Sequence, residues 1–135
     1  MKTSNRNKRQ ITLYYNSQNE LGKKTYAAAQ ATKEDLLAIN IAKNQVSGTE
    51  WTKLAEDMNL DILDLIDQNH NVFKNIYGKE KVNLSTKDAL KLIKQNPEIL
   101  AYPIAVCGDK TVQIRNASEM RKMFSPDSKG TNLTN

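Results

Sequence analysis

Thiol and imidazole are nearly missing from this chain of 135 residues, which has one cysteine and one histidine. A lone cysteine closes no disulfide within the chain, so nothing points to an oxidising compartment and a cytoplasmic setting is the default. A metal site needs several ligands at fixed spacing, and His70 stands in the segment Gln68 to Val72 without them. No apolar run approaches the ~18 residues of a membrane span. The basic residues at the start have no hydrophobic stretch behind them, which argues against a secretory signal. There is no internal repeat, and no cofactor-binding motif stands out.

What is present begins with charge. The formal net charge is +5, and Lys2, Arg6, Lys8 and Arg9 fall in the first ten residues, which hold no acid. Residues 1–10 therefore read as a flexible basic arm, and the rest is close to neutral. Such an arm can touch nucleic acid, but this one lacks interleaved aromatics. Residues 125–135, rich in Ser, Asp, Gly, Thr and Asn, read as a flexible polar tail. A single domain of residues 11–124 lies between, large enough for a hydrophobic core without staples.

That domain is organised around Ile11 to Ala29. Ile11 to Tyr15 is β-branched and aromatic, bounded by the turn formers Asn16 and Ser17. A helix follows with Leu21, Thr25, Ala28 and Ala29 on one stripe. In a small α/β domain such a junction is where chemistry sits, because backbone N–H groups and the positive helix end converge there. Yet the loop Asn16 to Glu20 holds no Cys, His or Asp and no tight glycine run, hence no nucleophile, metal ligand or phosphate cradle.

After a break at Thr32 to Asp35, Leu36 to Ala42 fits a central strand parallel to the first. Ser47 and Glu50 make a capping box for a helix with Trp51, Leu54, Ala55 and Met58 inward. Asp61 caps a short helix through Asp67, and Gln68 to Val82 shows no regular pattern. Thr86 to Gln95 is helical, with Ser85 or Thr86 as cap, and Pro97 ends or restarts it. Ile104 to Cys107 and Thr111 to Ile114 flank the hairpin turn Gly108-Asp109-Lys110. Asn116 and Glu119 cap a last helix that presents Met120, Met123 and Phe124. The order is βαβ, a helical insertion, then ββα: an α/β, thioredoxin-like mixed four-stranded sheet with helices packed on it.

Three stretches, ITLYYN at the first strand, KLIKQNPEIL closing the insertion and YPIAV before the hairpin, stand in an order that resembles the arsenate reductase family, including its Spx-like members. The resemblance covers roughly Ile11 to Phe124 and implies a cis Tyr102–Pro103 peptide. It also implies an active-site loop N-P-x-C after the first strand, with an Arg four residues beyond the Cys. Here Asn16 matches the Asn, Ser17 replaces the Pro, Asn19 occupies the nucleophile's position and Lys23 that of the Arg. Spx-like members carry C-x-x-C at this loop, and neither Cys is present. The family holds its oxyanion with arginines, one just before the proline, where this chain has Tyr102. Another falls near Asp67-Gln68, and a third lies within a residue of Arg115. Glu20 replaces the usual Gly after the nucleophile and would repel an oxyanion.

Reductase chemistry needs a thiolate that attacks the oxyanion and then accepts a second thiol. A carboxamide at Asn19 does neither, though it can cap the helix. The resemblance with these departures implies a redox-inactive, non-catalytic binding or regulatory protein, whose partner is a protein or small molecule. One alternative is an arsenate reductase or glutaredoxin-type oxidoreductase using the displaced thiol Cys107, which the cis-proline strand would carry near the old site; the blander reading makes Cys107 a small core or strand-end residue. The other is a Spx-like transcription-associated regulator. Asp61, Asp64 and Asp67 fall at i, i+3 and i+6 and read as caps and solvated charges more readily than a cation site. Tyr14 and Tyr15 point to opposite faces of the first strand, and one of them is expected beside Tyr102, shaping a small aromatic pocket.

Overall fold

The computed structural model describes residues 10–32, 34–78 and 83–124. The basic arm up to residue 9, the tail from residue 125, Lys33 in the predicted break, and positions 79–82 lie outside them. The described residues up to Asn40 and from Tyr102 onward make one compact unit, and Ile41–Ala101 makes another.

The first unit is the sheet. Its strands are β1 (Ile11–Tyr15), β2 (Leu36–Asn40), β3 (Ile104–Cys107) and β4 (Lys110–Gln113), in the order β2-β1-β3-β4. β1 runs parallel to β2, with Ile11 opposite Leu36 and Tyr15 opposite Asn40. It runs antiparallel to β3, with Thr12 opposite Val106 and Tyr14 opposite Ile104. The period of two along β1 sends Ile11, Leu13 and Tyr15 to one face. There they join Ala29, Ala105, Ile114 and Met120 in a buried cluster. Helices α1 (Glu20–Ala31) and α5 (Ser118–Phe124), packed on each other, close that face. α1 buries Gly22, Thr25 and Ala29. Small residues on that stripe keep the helix close to the sheet, and Leu21 is only half-buried.

Three expectations change here. The run Leu36 to Ala42 is not a central strand. β1 uses its two edges on β2 and β3, and β4 folds back on β3, so β2 is left with one neighbour. It also ends at Asn40, where the chain turns, and Leu37 is 51% exposed. The Tyr102–Pro103 peptide is trans, as are all peptides among the described residues. The tertiary amide prefers trans by roughly 0.5–1 kcal/mol, so neither isomer needs much support. The hairpin turn is tighter than expected. Cys107 pairs with Lys110, leaving Gly108 and Asp109 as the loop. Gly108 takes φ +60°, as the first central position of a type II′ turn requires.

The second unit is helical. Ser47 accepts the Glu50 N–H at 3.1 Å and starts α2 (Gly48–Asp57), which buries Trp51, Leu54 and Ala55. The helix expected through Asp67 is a 3-10 turn, Ile62–Leu65. It stops because Ile66 bridges Leu100, while Asp67 N–H donates to Ile99 O and Ala101 N–H to Leu65 O, each at 2.8 Å. Within Gln68 to Val82, which shows no pattern in the sequence, Asn71–Tyr77 forms α3 around the buried Phe73. α4 (Thr86–Gln95) buries Ala89, Leu92 and Ile93 and packs on α2 and both 3-10 turns, the second being Pro97–Ile99. No helix of the described residues is long and apolar enough to cross a membrane.

Candidate functional site

The loop after β1 is held by side-chain amides. Asn16 is buried, and its Oδ1 accepts the Gln18 N–H at 2.8 Å, an Asx turn that starts the reversal. Asn40, at the end of β2, takes Ser17 from both sides. Its Oδ1 accepts the Ser17 N–H at 3.2 Å, and its Nδ2 donates to Ser17 Oγ at 2.8 Å. Parallel pairing causes this, since it brings the C-terminal ends of β1 and β2 side by side.

Asn19 is the N-cap of α1. With φ −118° and ψ 161° its backbone is extended, and its Oδ1 accepts the Gly22 N–H at 2.6 Å. The close turn is possible because residue 22 is glycine. A Cβ there would run into the Asn16 carbonyl oxygen and lie 2.9 Å from Asn19 Oδ1. Glu20 occupies the first turn, favoured there by the helix dipole, and sits 3.8 Å from Lys24 in an exposed pair. Lys23 is exposed, and its backbone N–H donates to Asn19 O at 3.1 Å. The head of α1 thus has an acceptor of its own and an adjacent carboxylate.

Tyr102, Pro103 and Arg115 form a second group. Pro103 is buried, and its carbonyl accepts the Ile114 N–H at 2.8 Å. The Arg115 guanidinium lies over the Tyr102 ring, 4.6 Å from its centroid, with Nη1 3.5 Å from the phenol oxygen. Its Nη2 is 3.4 Å from Gln113 Oε1, and its backbone N–H donates to Glu119 Oε1 at 2.9 Å. The cation therefore rests on a π face and an amide oxygen. Among the described residues, no hydrogen bond or ion pair joins this group to Asn16, Asn19 or Lys23. Asp67 and Gln68 belong to the helical unit.

Cys107 is half-buried and packs against the sheet's core cluster. The expectation that it lies near the old site fails on strand direction. Ile104 is level with Tyr14, and β3 then runs antiparallel, past Thr12. Three residues at ~3.3 Å each carry Cys107 about 10 Å away from the end of β1 that leads into the loop.

The remaining candidates have local partners. His70 Nδ1 accepts the Val72 N–H at 3.1 Å and caps α3. Asp64 accepts the Asp61 N–H at 2.9 Å, and Asp67 accepts the Asn69 N–H at 2.9 Å. Among the described residues no group of His, Cys, Asp and Glu is arranged to hold a metal ion. Tyr15 does not face Tyr102. It stacks on Tyr26 of α1 at 4.7 Å, with the rings within 2° of parallel. Burial, and secondarily the Tyr26 hydroxyl, push its phenol above the usual 10.0. Tyr14 is buried on the other face, and none of the cavities described is lined by Tyr14, Tyr15 or Tyr102. Sequence reasoning missed Asn40. The only signal was its place at the end of a strand predicted to run parallel to β1.

Comparison with known proteins bears on this arrangement. The model of the ArsC family matches residues 14–123. An arsenate reductase from Vibrio cholerae superposes with a TM-score of 0.72 at 17% identity, over 86% of this chain and 98% of the other. An arsenate reductase (ArsC) related protein from Brucella melitensis gives 0.65 at 13% identity, over 86% and 95%. No curated protein matches. The mixed sheet and its helices are those of the arsenate reductase thioredoxin-like fold.

Proposed function

The chain belongs to the ArsC family, and from that premise we propose that it is a redox-inactive member acting as a non-catalytic binding or regulatory protein in the cytoplasm. One observation carries this reading. The Oδ1 of Asn19, which the resemblance aligns with the family's thiol, is bonded to the Gly22 N–H at 2.6 Å. A carboxamide there caps the helix but neither attacks an oxyanion nor forms a mixed disulfide.

The surroundings support it. Reductase action needs a thiolate at a helix N-terminus and cations that hold the oxyanion. Glu20 puts a negative charge in that first turn. Tyr102 takes the place of one expected arginine, and Arg115 lies over its ring. Cys107, the only thiol, sits at the far end of β1, one residue beyond the Thr12–Val106 pair in the register of β3. No ion or cofactor is required by this reading.

The test is an arsenate reductase assay of the full chain, once with glutathione and glutaredoxin and once with thioredoxin. The expected result is no turnover above the enzyme-free blank with either donor. Turnover that disappears in Cys107→Ser would overturn the proposal and restore a displaced-thiol oxidoreductase.

A further inference from the structure

The outer strands of the sheet, β2 and β4, each have one strand neighbour among the described residues, and their free edges differ. β4 is Lys-Thr-Val-Gln and opens on an exposed lysine, a residue that discourages a further strand. β2 is Leu-Leu-Ala-Ile-Asn, with no charge, no proline and no break in its register on β1. Leu37 in its middle is 51% exposed, one of two large apolar side chains so exposed among the described residues. We infer that β2 is a self-recognition edge, on which a second copy of this chain pairs its own β2 antiparallel about a two-fold axis at Leu37.

The backbone sets the register. Ile11 N–H donates to Asp35 O at 2.7 Å, and Leu36 is level with Ile11. Bonding residues alternate along a parallel ladder, so Asp35, Leu37 and Ile39 turn their N–H and C=O toward β1. Leu36 and Ala38 turn theirs outward. A two-fold at Leu37 sets Leu36 of each copy opposite Ala38 of the other, and each such pair exchanges both its hydrogen bonds. Leu37 then meets its own counterpart in a pair without hydrogen bonds, where Cα atoms come within about 4.5 Å. Ile39 shares that face, because side chains alternate along the strand. Leu36 and Ala38, on the opposite face, already pack against the core cluster.

Charge selects the direction. Glu34 and Asp35 precede β2, and Lys43 follows it by three residues. Antiparallel copies set the acidic end of one beside the end of the other that leads to Lys43. Parallel copies would stack Asp35 on Asp35. One strand pair is small beside the ~1,200–2,000 Å² of a stable interface, so the dimer is reversible. The two-fold uses up both β2 edges, so growth stops at two chains.

The test is sedimentation equilibrium of the full chain from ~10 µM to ~1 mM. The weight-average mass should climb from one chain toward two and stop there. It should stay at one in Leu37→Lys, which sets two ammonium groups on the axis. It should stay at one in Ala38→Pro as well, which deletes an outward N–H and spares the bonds to β1. Ile76→Lys removes the other exposed apolar side chain, on α3, and should dimerise as the parent chain does. A mass of one chain throughout would overturn the inference, as would growth past two or a dimer that survives Leu37→Lys. Loss of the dimer in Ile76→Lys would overturn it too, by moving the interface to α3. Leu37 and Ile76 are surface positions, so the test holds even if Ala38→Pro folds poorly. No thiol or electron donor enters these readouts, which therefore stand or fall apart from the reductase assay.

Discussion

The two ends of β1 hold opposite halves of what thiol chemistry needs. At the C-terminal end stand a helix N-terminus and a tightly turned loop, but Asn19 supplies a carboxamide there. Toward the N-terminal end, past Thr12 and Val106, lies the chain's only thiol, at a strand end beside a two-residue hairpin loop. A thiol becomes reactive when a helix end or cation lowers its pKa. Separating the thiol from the helix end by the length of a strand removes the helix end's part of that help while leaving both parts well formed. The comparison teaches that the fold and the chemistry of this scaffold separate cleanly: the sheet needs Ile11, Leu13 and Tyr15, and none of them needs a thiol.

The strongest way to break the comparison is to remove what both ends share. Leu13 is fully buried midway along β1. Leu13→Ala should cost about 2–5 kcal/mol in a urea unfolding series. Gly22→Ala attacks only the loop end, where the added methyl meets the Asn16 carbonyl. A loss of about 1–3 kcal/mol is expected, with the packing around Cys107 unchanged by its alkylation rate in the native state.

Moving the thiol sharpens the contrast. In Asn19→Cys/Cys107→Ser the single thiol stands at the N-cap of α1, and it should react with iodoacetamide at neutral pH about tenfold faster than Cys107 does in the parent chain. Equal rates would mean the helix end gives no activation. Asn19→Ala removes the acceptor of the Gly22 N–H and should lower stability by about 1 kcal/mol, read as a shift in urea midpoint at constant slope.

The smallest effect is a pH dependence at the loop end. The Tyr15 phenol is raised above 10.0 by burial and by Tyr26. The folded state therefore favours the neutral phenol. Its contribution is fully present below pH ~10 and is lost as the pH climbs through the raised value. Tyr15→Phe should flatten that alkaline fall in stability, measured by urea midpoints across the range.

What the sequence revealed depended on how local each signal was. β1, α4 and the caps Ser47, Ser85 and Asn19 follow from a few adjacent residues, and the structure has them where the pattern put them. α3 was hidden because it is a seven-residue helix capped by a histidine, an unusual donor of that service, with one buried residue, Phe73. The rank of β2 was misread because a run of Leu and Ile signals burial without saying how many neighbours a strand has. The position of Cys107 needed strand direction as well as proximity to Pro103. The clamp of Asn40 on Ser17 spans 23 residues and exists only once β1 and β2 are paired. The Arg115–Tyr102 stack likewise joins residues 13 apart across a hairpin. At the site the residue types were legible, and their partners were not.

The bond from Asn19 to the Gly22 amide has a consequence for anything that arrives at α1 from solution. Helix heads commonly recruit a visiting anion to quiet their uncoordinated amides. This one carries a permanent tenant, tethered by its own backbone and present at an effective concentration that no dissolved oxyanion matches. A newcomer that needs the Gly22 amide would first have to displace it.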